Sequence, residues 1–124
     1  VLLSGSDILS LHCPLTAETR NLLDTRRLAL LPQGAVVVNT ARGGLIDEAA
    51  LLAAVRSGQV MAAGLDSFAV EPMAAGHPFQ GEPRFILSPH IGGVTSDAYV
   101  NMGVGAAKNL LAVLAHTPGE VAVA

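Results

Sequence analysis

The sequence predicts an α/β fold: part of a doubly wound parallel sheet, followed by one long helix. Three observations carry that expectation. Short apolar runs alternate with capped helical segments in the order strand, helix, strand, helix, strand, a pattern that requires crossover connections and so parallel strands. The run Ala35-Val36-Val37-Val38-Asn39 is almost wholly apolar and rich in β-branched residues, as expected of a strand covered on both faces. Polar and ionisable residues gather just after the strands, where ligands bind in sheets of this kind.

The elements follow in order. Val1-Leu2-Leu3-Ser4-Gly5 resembles the tail of a helix cut mid-element, so the chain is expected to be a piece of something longer. Asp7-Ile8-Leu9-Ser10-Leu11-His12 is a strand pattern stopped by Pro14. A polar turn covers residues 16–20. Asp24 caps a short helix expected to run through Leu31, ended by Pro32 and Gly34. After the strand at 35–39, Gly43-Gly44 breaks the chain. Asp47 is a good N-cap for a helix over 49–56, and Gly58 is its C-terminal stop. Residues 60–65 form a third strand, and residues 69–83 a Pro- and Gly-rich loop. Phe85-Ile86-Leu87 is a fourth, short strand. A long amphipathic helix starts near Thr95 or Ser96. Tyr99, Met102, Ala106, Leu110 and Leu114 recur along it at three- and four-residue spacing, and it should end near His116, before Pro118-Gly119.

Composition narrows the function. Hydrophobic residues make up 51% of the 124 residues and charged ones 14%, which suits one modest domain with a real core and excludes a disordered chain. A net charge of −3 gives no basic surface for nucleic acid or membrane. No apolar run reaches the roughly 20 residues that span a bilayer. The lone cysteine, Cys13, cannot form an internal disulfide, so a reducing, cytoplasmic setting is expected.

The strand ends carry His12-Cys13-Pro14, Asn39-Thr40-Ala41-Arg42, Asp66-Ser67-Phe68 and Ser88-Pro89-His90-Ile91-Gly92-Gly93. Arg42 is either a solvated loop cation or a two-pronged donor for a carboxylate, with Gly43-Gly44 letting a ligand approach the backbone. Asp66 can cap the turn that follows it. Glu71 and His90 are each ordinary alone. Together they make a dyad in which the carboxylate fixes the imidazole tautomer, so that the ring can give a proton to a carbonyl oxygen and take it back from an alcohol. Such a site needs a hydride donor, which no side chain supplies.

Other candidates are weaker. Gly103-Val104-Gly105-Ala106-Ala107-Lys108 lies inside the last helix with no strand before it, so its glycines serve helix packing rather than phosphate binding. His12, His77, His90 and His116 lack metal-ligand spacing. His116 is read as a cation at a helix C-terminus, and Cys13 as a small buried residue. Ser67 and Ser88 lack a nucleophile-elbow context.

The stretches His12-Cys13-Pro14-Leu15-Thr16, NTARGGLIDEAAL (39–51), GLDSFAVEP (64–72) and HPFQGEPRFILSPHIGG (77–93) resemble the NAD-dependent D-2-hydroxyacid dehydrogenases, most of all the D-3-phosphoglycerate dehydrogenase type. The resemblance covers essentially the whole chain. It implies the C-terminal half of a Rossmann-like NAD-binding domain over residues 1–94. Residues 95–124 would form a helix and tail that return to a substrate lobe. It implies that Arg42 binds the substrate carboxylate, His90 is the acid/base and Glu71 sets its protonation. Asp66 would contact the nicotinamide end of NAD, with NADP left open. Cys13, Pro14, Thr40, Ala41, the backbone around Arg42, and His90 through Ile91, Gly92 and Gly93 would line the cofactor.

The substrate would be a small 2-hydroxy or 2-keto acid, and the parent a homodimer. Glutamate at position 71 argues against the formate dehydrogenase branch, which carries glutamine there; phosphite dehydrogenase and glyoxylate or hydroxypyruvate reductases stay open. So does a corepressor of the same superfamily that uses NAD to control assembly, or an inactive remnant. The family's G-x-G-x-x-G turn and first lobe are absent from these residues. The chain alone is therefore expected to bind NAD poorly and turn over nothing, and its last helix to expose apolar surface.

Overall fold

The computed structural model describes residues 1–115, with four parallel strands in the order β1-β2-β3-β4. These are β1 (Ile8–Leu11), β2 (Ala35–Asn39), β3 (Val60–Leu65) and β4 (Phe85–Leu87). Between them lie α1 (Thr25–Leu28), α2 (Glu48–Ser57) and a 3₁₀ turn at Pro78–Gly81; further 3₁₀ turns occupy Leu3–Gly5 and Gly43–Leu45. A last helix, α3, spans Ser96–Leu114. The chain divides into two units, Val1–Gly92 and a second from Gly93 onward.

Local chemistry accounts for the element ends. Asp24 accepts a hydrogen bond from Arg27 N at 2.7 Å and opens α1, but the helix stops at Leu28, short of the Leu31 expected from sequence. Leu30 and Leu31 donate instead to Arg27 and Leu28, a tighter i→i+3 turn. Pro32 explains this, because it disfavours the helical region for the residue before it. Asp47 caps α2 by accepting from Ala50 N at 3.0 Å, and Gly58 closes it at φ 80°, where a Cβ would be strained. Thr95 caps α3 by accepting from Ala98 N. The Pro- and Gly-rich loop at 69–83 contains the Pro78–Gly81 turn, seated by Phe79, whose ring stacks on Phe85 at 4.3 Å.

The expectation that the strand at 35–39 is covered on both faces is corrected. Leu9, Leu11, Val37, Ala63, Leu65 and Phe85 are buried against one side, with Leu28, Leu51 and Val55 from the helices. On the other side Val36 and Val38 are half-buried, and Ile8 and Ile86 are exposed. The cause is topological. The strand order steps the same way at every crossover, and right-handed connections then put all the crossover segments on one face. The register also slips between Ala35↔Val60 and Val36↔Ala62, which leaves Met61 as the extra, exposed residue of a bulge.

In α3 none of the side chains is buried, and Tyr99, Met102, Leu110 and Leu114 are all exposed. The expected end near His116 lies outside the described residues. Among the described residues, no helix is long and apolar enough to cross a membrane.

Candidate active site

Register places the site. Leu11 pairs with Asn39, Asn39 with Leu65 and Leu65 with Leu87. The residues that follow each of these therefore emerge along one carboxyl edge of the sheet: His12-Cys13-Pro14, Thr40-Ala41-Arg42, Asp66-Ser67-Phe68 and Ser88-Pro89-His90.

His90 and Glu71 meet there. His90 Nδ1 lies 2.7 Å from Glu71 Oε2, and Glu71 Oε1 accepts from Phe68 N at 2.9 Å. That backbone donor, followed by the His90 hydrogen bond and the charges of His90 and Arg42, outweighs desolvation and holds the Glu71 carboxyl below the usual glutamate range. An ionised Glu71 accepts the proton of Nδ1, which leaves Nε2 without a hydrogen-bond partner among the described residues. Both side chains stay open to solvent, at 44% and 37%. Beside them is a cleft of about 430 Å³, lined by Phe68, Met73, Gln80, Leu87, Pro89 and the dyad itself, among others.

His90 has φ 56°, a left-handed conformation uncommon for a residue with a Cβ. Asp66 holds the turn that imposes it. Its Oδ1 accepts from Ser88 Oγ at 2.5 Å and Ile91 N at 2.9 Å, and its Oδ2 from Gly92 N at 2.7 Å. Asp66 is 4% exposed. Burial is the largest single influence on its carboxyl and pushes it up. Ser88, Ile91, Gly92 and the charge of His90 together outweigh burial and keep the group below the usual aspartate range. So Asp66 caps a turn 25 residues away, not the turn that follows it. Three of about four acceptor positions are taken by these donors.

Arg42 is exposed, and its Nη1 donates to the carbonyl of Ala41 at 2.8 Å. Buried Asn39 shapes the turn behind it: Nδ2 donates to Arg42 O, and Oδ1 accepts from Ala41 N. Asn39 joins the site through a signal the sequence does carry, since an Asn at a strand end is a known turn former. Phe68 contributes only a backbone N–H and Ser88 a hydroxyl bound to a partner distant in sequence, roles that residue type alone does not mark.

One expectation about the glycines is corrected. A Cβ on Gly43 would lie 1.9 Å from the carbonyl carbon of Phe68, and one on Gly44 would lie 2.9 Å from a methyl of Leu15. The space beside these glycines is filled by the chain itself, not kept for a ligand. Cys13 and Ala41 pack against the core, Pro14 and Thr40 lie exposed at the edge, and Gly93 opens the second unit.

Comparison with known proteins gives the chain its relatives. Residues 1–92 match the D-isomer specific 2-hydroxyacid dehydrogenase, NAD binding domain. The chain is 43% identical over 111 residues to a glyoxylate reductase of Aeropyrum pernix, covering 90% of this chain and 33% of that protein. It is 44% identical to the D-3-phosphoglycerate dehydrogenase of Mycobacterium leprae, covering 92% of this chain and 21% of that one. Among solved structures, a D-isomer specific 2-hydroxyacid dehydrogenase from Xanthobacter autotrophicus Py2, in complex with NADPH and MES, superposes with a TM-score of 0.85 at 38% identity. That match covers 98% of this chain and 50% of that one. The chain thus spans a third or less of the length of these curated relatives. With the parallel sheet and the match over residues 1–92 in agreement, the chain belongs to the D-isomer specific 2-hydroxyacid dehydrogenase family, through its NAD-binding domain.

Proposed function

We propose that this chain carries the catalytic edge of an NAD-dependent D-2-hydroxyacid dehydrogenase. The protein would transfer hydride reversibly between the nicotinamide cofactor and a small 2-hydroxy or 2-keto acid. The observation that carries this reading is the 2.7 Å contact between His90 Nδ1 and an ionised Glu71, at the strand edge that also holds Arg42.

The chain's residues suit the nicotinamide end of the cofactor. Asp66 stands at the strand edge and holds the His90–Gly92 turn, and Cys13, Pro14, Thr40, Ala41, Gly92 and Gly93 are the family residues expected around the cofactor. No glycine-rich strand-to-helix turn for the pyrophosphate occurs in these 124 residues. When bound, the cofactor supplies or accepts the hydride.

The chain's own groups do the rest. Arg42 forks onto the substrate carboxylate and orients the 2-carbon. In reduction, protonated His90 donates from Nε2 to the carbonyl oxygen as that oxygen gains charge; in oxidation, Nε2 removes the hydroxyl proton. Glu71 keeps the Nδ1 proton in place and so leaves Nε2 as the atom that exchanges the substrate proton.

The glyoxylate reductase and phosphoglycerate dehydrogenase relatives make glyoxylate, hydroxypyruvate and the phosphorylated keto acid the substrates to try first. A homodimeric, cytoplasmic parent is part of the same proposal, supported by the family resemblance and the single cysteine. The test is NADH and NADPH consumption with that panel by the protein as its source makes it. His90→Gln should lower turnover by about 10²–10⁴-fold, and Arg42→Ala should act mainly by raising KM. Undiminished turnover in the His90 variant would sink the acid/base assignment.

A further inference from the structure

Glu71 sits on a loop with little core packing of its own. Of residues 69–76, only Met73 packs against the core. Both ends of this loop nevertheless meet one carboxylate, that of Glu48 in the first turn of α2. Glu48 Oε1 accepts from Ala69 N at 2.9 Å, and Glu48 Oε2 lies 3.5 Å from His77 Nε2. His77 is oriented for that contact. Its Nδ1 accepts from Phe79 N, so the ring proton belongs on Nε2, facing Glu48; its edge meets the Phe79 ring at 4.7 Å. Both side chains are largely shielded, at 21% and 25% exposed.

We infer that Glu48, with His77, is a positioning residue for Glu71: one carboxylate clamps the two ends of the loop that carries the dyad's acid. The clamp acts on the peptide that matters. The N–H held by Glu48 belongs to the Phe68–Ala69 peptide, the same peptide that packs against Gly43 beside Arg42. The preceding N–H, that of Phe68, is the one Glu71 accepts. Fixing this peptide therefore sets Glu71 relative to both His90 and the Arg42 turn. Neither residue reaches the dyad directly, so the action is through the backbone.

This inference rests on the reading of Glu71–His90 as the acid/base pair only for its effect on turnover, and the test needs no turnover. Amide exchange and the side-chain carboxyl titration of Glu71 would be followed by NMR in the 124-residue chain. In Glu48→Ala, Phe68 N–H should exchange about tenfold faster, the scale of one weakened charge-assisted hydrogen bond. The Glu71 midpoint should rise toward the ordinary glutamate value. Glu48→Gln keeps an acceptor for Ala69 N and should restore most of both signals.

A Glu48→Ala chain that melts lower but leaves Phe68 exchange and the Glu71 midpoint unchanged would overturn the inference. If Glu48→Ala does not fold, His77→Ala cuts only the second contact and is read the same way. A protein inactive on every keto acid but with these two signals moved would keep the clamp and lose the dehydrogenase reading.

Discussion

At the scale of single residues, the site depends on His90 being held in a conformation it would not choose. A left-handed residue with a Cβ costs roughly 1–2 kcal/mol, and His90 adopts it at φ 56°. The three donors gathered by Asp66 offset that cost, and they do so with an ionised carboxylate. The sign of the pH dependence follows. Asp66 and Glu71 both have depressed values in the fold, so their contribution is complete above the ordinary carboxylate range near pH 4 and is lost as pH falls through the lowered values. Asp66→Asn cannot accept Gly92 N with its amide nitrogen. Chemical denaturation from pH 6 to pH 2 should show a lower plateau and a shallower acid limb than in the parent chain. Ser67 gives the opposite case: its Oγ is buried with no hydrogen-bond partner among the described residues. Ser67→Ala removes that desolvated hydroxyl and should raise stability by about 1 kcal/mol, read as a higher Tm.

At the scale of elements, close contact between two connections builds the edge. The turn after β2 and the turn after β3 touch through Gly43, where a side chain would overlap the Phe68 carbonyl carbon at 1.9 Å. Backbone cannot yield as a flexible side chain does, so Gly43→Ala should cost about 1–3 kcal/mol or more. It should also separate Arg42 from the dyad, visible as a rise in KM beyond the loss of Tm. Helix α2 follows at once, and its caps are ordinary by comparison. Asp47→Ala removes the acceptor for Ala50 N and should cost about 1 kcal/mol, read as a lower Tm.

At the scale of the whole chain, the sheet is covered on one face by its own crossovers, and the other face carries Ile8, Val36, Val38 and Ile86. A substitution on that face removes few packed neighbours. Ile86, 77% exposed, should tolerate Ile86→Lys with a change within about 0.5 kcal/mol, whereas Phe85→Ala next to it should cost about 3–5 kcal/mol. Urea melts of the two variants check this contrast, and an equal loss in both would mean that the open face is covered in solution.

The strands and the edge are legible in the order of the residues alone. β2, β3 and β4 fall at the residues their apolar runs mark, and Asp24, Asp47 and Thr95 open the helices their side chains predict. These are local effects, of burial pattern and capping, and local effects are written in neighbouring residues. Which face of β2 is covered follows only from the assembled sheet, since it depends on the direction in which successive strands are added. Tertiary packing also decided what fills the space beside Gly43 and which N–H groups hold Glu71, Asp66 and Glu48. Those partners lie 3 to 26 residues away, and several are backbone N–H groups that every residue except proline carries. No residue identity announces them; only the packing of one turn against another brings them together.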